Sequence, residues 1–250
     1  MTLGRAPVQD DAFRSTRSFC EERLSPTSIY RLLHDEAHRL FPDEMFADLF
    51  TSRGRNSVPP RVIAVVMVLQ RIEGLSDREA AERFEFDARW KYAAGGLDFE
   101  YPGFFHTVLV DMRARLRGSK RPDRIFEAVL DVAKAAGLVG RKRVLDSTAL
   151  YDAVATQDTV TSSKSGRAIK LNKHERHLQR ERARQKDPAW QANDKATRPK
   201  VERKLSHMMR RRHGGRKARM RGRLRIGQDF GILAAATNLQ RLAVLRSRAC

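Results

Sequence analysis

Apolar residues recur at helical spacing along most of the first 135 positions, and polar or glycine-containing joins separate the runs. Ser28 stands where a helix with Ile29, Leu32 and Leu33 on one face would begin, and Pro42-Asp43-Glu44 opens a second with Met45, Phe46, Leu49 and Phe50. Pro59 and Pro60 precede a strongly apolar stretch through Ile63, Val66, Met67 and Leu69, so that helix is expected to be the most buried of this half. Gly74 stops it, and Ser76 with Glu79 three residues later has the form of a capping box that starts another. Asp87 then caps a short helix carrying Arg89, Trp90, Lys91 and Tyr92. Two further helices follow, with expected core positions Phe104, Phe105, Val108, Leu109 and Met112, then Ile125, Phe126, Val129, Leu130 and Val132, the second ending at Gly137.

After that the texture changes. Arg141-Lys142-Arg143-Val144-Leu145-Asp146-Ser147-Thr148 reads as a short strand that delivers a carboxylate to its end, where strand-end side chains face a cleft; an aspartate capping the following turn is the other reading. Residues 231–245 form an apolar helix whose face, with Ile232, Leu233, Ala235, Ala236, Leu239, Leu242 and Leu245, is too broad for water and must dock on another helix or a second chain.

Charge divides the chain differently from hydropathy. The 250 residues carry a formal net charge of +20, yet residues 1–161 hold about 24 basic and about 24 acidic side chains, so the excess lies in residues 162–250. A positive field of that size attracts polyanions, and duplex DNA is the expected partner. No apolar run is long enough to span a bilayer and the N-terminus lacks a signal-peptide core, so no membrane association and a cytoplasmic location are expected. Cys20 and Cys250 suggest neither a disulfide framework nor a zinc site. His174 and His177 stand three apart on a helix without a third ligand in reach and read as solvated.

The helix, tight turn and helix around Gly74, followed by the helix from Asp87, fit a helix-turn-helix presenting Arg89, Lys91 and Tyr92 to DNA, or a plain helical hairpin. Arg113, Arg115 and Arg117, with Lys120, Arg121 and Arg124, form a second basic cluster suited to a phosphate backbone or to a solvated helix end. Residues 216–225 read as a phosphate-facing loop or short strand.

Three stretches carry a resemblance. Residues 74–84 (Gly-Leu-Ser-Asp-Arg-Glu-Ala-Ala-Glu-Arg-Phe), Trp90-Lys91-Tyr92 and Val144-Leu145-Asp146-Ser147-Thr148 resemble the N-terminal half of bacterial insertion-sequence transposases of the DDE type. Arg198-Pro199-Lys200-Val201-Glu202-Arg203-Lys204 through Arg210-Arg211-Arg212, with Asn238-Leu239, resembles their C-terminal part. The resemblance implies a helical DNA-binding region before a ribonuclease H-like core whose two aspartates and one glutamate bind divalent metal, magnesium by expectation, for DNA cleavage and strand transfer in transposition. It assigns the first aspartate to Asp146 and the glutamate to Glu202, both as catalytic residues and metal ligands, and sets Arg198, Arg210, Arg211 and Arg212 beside the DNA phosphates.

The match departs from the family's pattern at one place. Only about 55 residues separate Asp146 from Glu202, and they contain no apolar strand ending in aspartate, while the aromatic residue that the family has before Arg198 is replaced by Asp194 and Lys195. The expectation is an internal deletion with its junction near Thr161-Ser162-Ser163. The expected architecture is mainly α: a flexible arm (1–25), a helical DNA-binding domain with the helix-turn-helix (26–138), an incomplete ribonuclease H-like α/β element beginning with the Asp146 strand (139–161), and a basic C-terminal part (162–250). Two functions follow: transposase acting on element ends, or a non-catalytic DNA-binding remnant that inhibits a full-length transposase or is inert. The partners are element-end DNA and, in an oligomer, another copy or a full-length transposase.

Overall fold

The computed structural model describes residues 1–5, 15–137, 175–209 and 221–249. Among these the chain is helical: α1 Thr16–Glu21, α2 Ile29–Leu40, a 3-10 helix Asp43–Leu49, α3 Pro60–Glu73, α4 Asp77–Phe86, α5 Ala88–Ala93, α6 Thr107–Gly118, α7 Arg124–Ala135, α8 Glu175–Gln185, α9 Pro188–Met208 and α10 Arg223–Ala249. β structure among the described residues is limited to two isolated bridges, Thr2 with Asn56 and Ser15 with Asp98. The strand expected to carry Asp146 lies outside them. No helix among them is long and apolar enough to cross a membrane. Two compact units are distinguished, one formed by Met1–Gly140 with Met208–Cys250 and the other by Arg141–His207.

The first unit is built around α3. Pro60 supplies a ready-made first turn, and every residue from Val62 to Ile72 is buried, so this helix has no solvent face and packs on α2, α4, α6 and α10. Its two polar residues in that run are matched inside. Gln70 Nε2 donates to Asp77 Oδ1 at 2.7 Å, and Arg71 Nε lies 3.3 Å from Asp229 Oδ1 on α10.

Local punctuation forms as the residue types dictate. Gly74 ends α3 at φ +70, a left-handed conformation that suits glycine. Ser76 N donates to Glu79 Oε2 at 2.7 Å, while Ser76 Oγ accepts from Glu79 N, closing the capping box of α4. Ser28 caps α2, and Asp87 Oδ1 accepts from Arg89 N at 2.9 Å to start α5.

Three departures have long-range causes. Of the stretch expected to be a loose arm, the described parts are docked: Thr2 N donates to Arg55 O at 2.9 Å, Ser15 Oγ to Gly96 O at 2.9 Å and Thr16 Oγ1 to Leu97 O at 2.8 Å, and Cys20 is buried. Phe105 and Val132, expected in the core, are exposed, because Leu109 and Met112 on α6 and Ile125 and Val129 on α7 already supply the inward faces. The apolar helix near the C-terminus finds its partner within its own unit. α10 lays Ile232, Leu233, Ala235, Ala236, Leu239, Leu242 and Ala243 against α7, α3, α2 and α6.

In the second unit, described from Glu175 to His207, none of the side chains described in α8 and α9 is buried. The break between these helices is Asp187, whose Oδ1 accepts from Ala189 N at 3.0 Å and starts α9. Thr197, of a residue type that often caps helices, lies inside α9, its hydroxyl donating to Asn193 O at 2.6 Å, and Pro199 is also internal to this helix.

Candidate nucleic-acid interface

Arg89, Lys91 and Tyr92 share α5, a helix of six residues wedged against α1, α2 and α4. Tyr92 is 0% exposed, its ring stacked on His34 with centroids 4.1 Å apart. Burial pushes its phenol pKa up to about 12. Lys91 is 3% exposed and turned inward, its ammonium donating to the Phe99 carbonyl, and burial pushes its pKa down. Trp90 is buried as well, with Nε1 donating to Glu73 Oε1 at 3.0 Å, and that oxygen also accepts from Tyr30 OH at 2.6 Å. The expectation that α5 presents Lys91 and Tyr92 to DNA is therefore corrected: a helix this short with aromatic residues at 90 and 92 plugs the core rather than offering a reading face.

Arg89 remains at the surface but is chelated. Its Nε and Nη2 donate to the two Asp87 oxygens at 3.0 and 2.6 Å, and its guanidinium carbon lies 5.3 Å from the centroid of the Tyr30 ring. The Asp87 hydrogen bonds raise its pKa. On α4, the other helix of the motif, exposed Arg78 and Arg83 stand beside exposed Glu79, Glu82 and Glu85, so that surface has no excess of positive charge.

The second predicted cluster separates into spent and available cations. Arg113 is buried, donating to Asp77 and, at 3.4 Å, to Gln70 Oε1, which corrects its assignment to DNA. Arg124 is buried against Asp48 and the Met45 carbonyl. Arg115 donates to Leu49 O at 3.2 Å and lies over Phe50. Arg117 is half-buried, with Nη1 donating to Gln228 Oε1 of α10 at 3.2 Å. Its pKa is lowered by desolvation first and then by Arg225 and Arg113.

The carboxylates are treated unevenly by what is described. Asp146 and Arg210, Arg211 and Arg212 lie outside the described residues, as does His174, and the side chain of His177 is not described. Glu202 is exposed on α9, its Oε1 accepting from Arg198 Nε at 2.8 Å, one helical turn away. No group of three His, Cys, Asp or Glu side chains placed to hold a metal ion occurs among the described residues. α8 and α9 carry a solvent-facing basic surface. Between residues 175 and 209 the sequence holds ten basic and five acidic residues, and Arg180, Arg184, Lys186, Lys195, Arg198, Lys200 and Arg203 are exposed.

Comparison with known families divides the chain in two. A family model described as Transposase domain (DUF772) matches residues 18–115, spanning α1 to most of α6. A second, described as Transposase DDE domain, matches residues 155–243 and includes α8, α9 and most of α10. Asp146 falls between the two matches and Glu202 inside the second. No curated protein and no solved structure matches the chain. With both ends of the chain matched in order by transposase domains, the chain belongs to the insertion-sequence transposases of the DDE type.

Proposed function

We propose that this transposase binds the duplex ends of its element through phosphate-directed arginines and lysines and does not itself cut or join DNA. The observation that carries the first half is the sorting of charge. Arg71, Lys91, Arg113 and Arg124 of the first unit are buried against carboxylates or carbonyls, whereas none of the basic side chains described between residues 180 and 203 is buried, in a stretch where basic residues outnumber acidic ones. Exposed cations in excess over carboxylates bind a phosphate backbone by counterion release.

The second half rests on the donor set. The DDE family implies a divalent metal, typically magnesium, and two-metal displacement at phosphorus needs carboxylates that bridge and separate the ions. Glu202, the ligand that the resemblance supplies, holds an arginine 2.8 Å away, a cation that competes with a metal for the same oxygen. The sequence of the roughly 55 residues between Asp146 and Glu202 lacks the pattern of an apolar strand ending in a second aspartate. This donor set does not fit two metals. A chain that holds element ends without cleaving them competes with an intact transposase for the same DNA.

The test is a binding titration of the full chain with element-end and random duplexes, paired with a nicking assay in magnesium and in manganese. Binding that weakens steeply with salt and no metal-dependent nicking are expected. A salt-independent titration removes DNA as the partner. Nicking that is abolished by both Asp146→Ala and Glu202→Ala restores the chain to the active enzymes.

A further inference from the structure

Residues 1–4 are tied to the loop that joins the 3-10 helix to α3. Thr2 N donates to Arg55 O at 2.9 Å, Ser57 N to Thr2 O at 2.9 Å, Thr51 N to Met1 O at 3.2 Å and Gly4 N to Ser57 Oγ at 3.1 Å. The fit is so close that a Cβ on Gly4 would meet Ser57 O at 1.9 Å. Residues 51–57 (Thr-Ser-Arg-Gly-Arg-Asn-Ser) are thereby held as a preformed loop, and at its middle Gly54, at φ +123, leaves bare backbone between two arginines.

The charge of this loop is one-sided. Arg53 and Arg55 are exposed, neither has an ion-pair partner among the described residues, and no acidic residue occurs in 1–5 or 49–61. Asp48, the acid just before the loop, is engaged by Arg124. The hydrogen-bonding groups are sorted too. The carbonyls of Arg53 and Arg55 accept from Thr51 Oγ1 at 2.7 Å and Thr2 N at 2.9 Å, and Asn56 Oδ1 accepts from Thr2 Oγ1 at 2.7 Å. What the exposed side chains of Arg53, Arg55 and Asn56 have left to offer is donors. A row of donors around a bare glycine matches a narrow row of acceptors. The minor groove of A·T-rich duplex is about 6 Å wide, too narrow for a helix, and its floor shows only the adenine N3 and thymine O2 acceptors, whereas guanine places an N2 donor there. Its negative potential is strongest where it is narrowest, which draws arginine.

We propose that Arg53, Arg55 and Asn56, on the 51–57 loop braced by residues 1–4, insert into the minor groove of A·T-rich duplex DNA. The inference rests on the DNA-binding reading above and adds to it a contact on the first unit that reads base composition, where α8 and α9 address phosphates. The bracing serves affinity, because a loop already held in shape has less conformational freedom to lose on binding. Gly54 serves reach, because a backbone without a side chain can approach the groove floor.

The test titrates the full chain with three duplexes of equal length: one A·T-rich, one G·C-rich, and the G·C-rich sequence with inosine in place of guanine. Inosine removes the N2 amino group from the minor groove and leaves the major-groove edge as it was. The A·T-rich and inosine duplexes are expected to bind several-fold more tightly than the G·C-rich one. Arg53→Gln and Arg55→Gln each remove most of that preference and lower the slope of log affinity against log salt by about 0.9, while the melting temperature of the free chain is unaltered because both side chains are exposed. Gly4→Ala, which forces residues 1–4 off the loop, weakens the preference without changing the slope, since no charge is lost; an undiminished preference in that variant overturns the bracing. An inosine duplex that binds like the G·C-rich one, or a preference that survives both arginine variants, overturns the minor-groove contact. So does a fall in the free chain's melting temperature in the arginine variants, which would make them structural contacts. Equal affinity for all three duplexes overturns the loop's role and leaves the DNA-binding reading standing, whereas no binding to any duplex defeats that reading and the loop's role with it.

Discussion

α3 and α9 are both helices, and their stability comes from opposite sources. α3 buries every residue from Val62 to Ile72 and is held by its neighbours. α9, half as long again, buries none of its described side chains and keeps its cations in solvent. In the first unit three buried arginines serve the fold: Arg71 reaches Asp229, Arg113 reaches Asp77, and Arg124 reaches Asp48. Along α8 and α9 the arginines pair only locally and stay unburied, as Arg198 does with Glu202 and Arg184 with Glu181, which leaves them within reach of an external anion. The lesson is that net charge alone does not mark a DNA-binding surface; the fraction of it not spent on internal carboxylates does.

The largest effect should come from salt, because it acts on the exposed cations and hardly on the buried ones. If six to ten phosphates are neutralised, duplex affinity falls by about three to five decades between about 50 and 200 mM salt. Urea unfolding of the first unit over the same range should shift little, and a comparable collapse of its stability would break the comparison. Next in size is truncation of packing. Leu239→Ala, on the docked face of α10, should cost about 2–5 kcal/mol in denaturant unfolding. Leu205→Ala on α9, whose side chain is exposed, should change stability by no more than about 0.5 kcal/mol. Equal costs for the two leucines would mean that α9 is packed as tightly as the bundle.

Smaller again is the capping box of α4. Ser76→Ala removes the acceptor for Glu79 N and should cost about 1 kcal/mol by thermal melting. The smallest concerns acid. Hydrogen bonds from Arg124 hold the Asp48 carboxyl below its usual range. Its folded pKa is thus lower than its unfolded one, so the contribution is present above about pH 4 and lost as pH falls through the depressed folded value. Asp48 is half exposed, which keeps the effect small, and Asp48→Asn should flatten the acid limb of a stability-against-pH curve. An unaltered acid limb would show that Arg124 is held by its backbone carbonyl contacts rather than by charge.

Much of the local order was legible in the residues. Ser28, Ser76 with Glu79, Asp87, Pro60 and Gly74 act on backbone groups within four positions of themselves, so their types alone place helix starts and stops. The reading of residues 89–92 as a DNA face failed for the reverse reason. Whether Lys91 points to solvent or to the Phe99 carbonyl, and whether Tyr92 stacks on a base or on His34, depends on what the neighbouring helices leave open. Glu202, a metal ligand by the resemblance, is seen in an ion pair with Arg198, and no cluster of three carboxylate, His or Cys side chains surrounds it among the described residues.

By itself, then, the sequence determined where helices begin and end, that the helix at 231–245 must be covered, that the positive excess lies after residue 161, and which family's motifs the chain carries. These follow from short-range capping, from periodicity and from counting, none of which needs a partner to be known. Only the tertiary structure decided that α10 closes the N-terminal bundle, that Lys91, Tyr92, Arg113 and Arg124 are spent inside it, and that Arg117 reaches Gln228. The physical reason is that Arg113, Arg124 and Arg117 are paired by groups 36, 76 and 111 residues away, and chain separation of that size leaves no periodic or local signature.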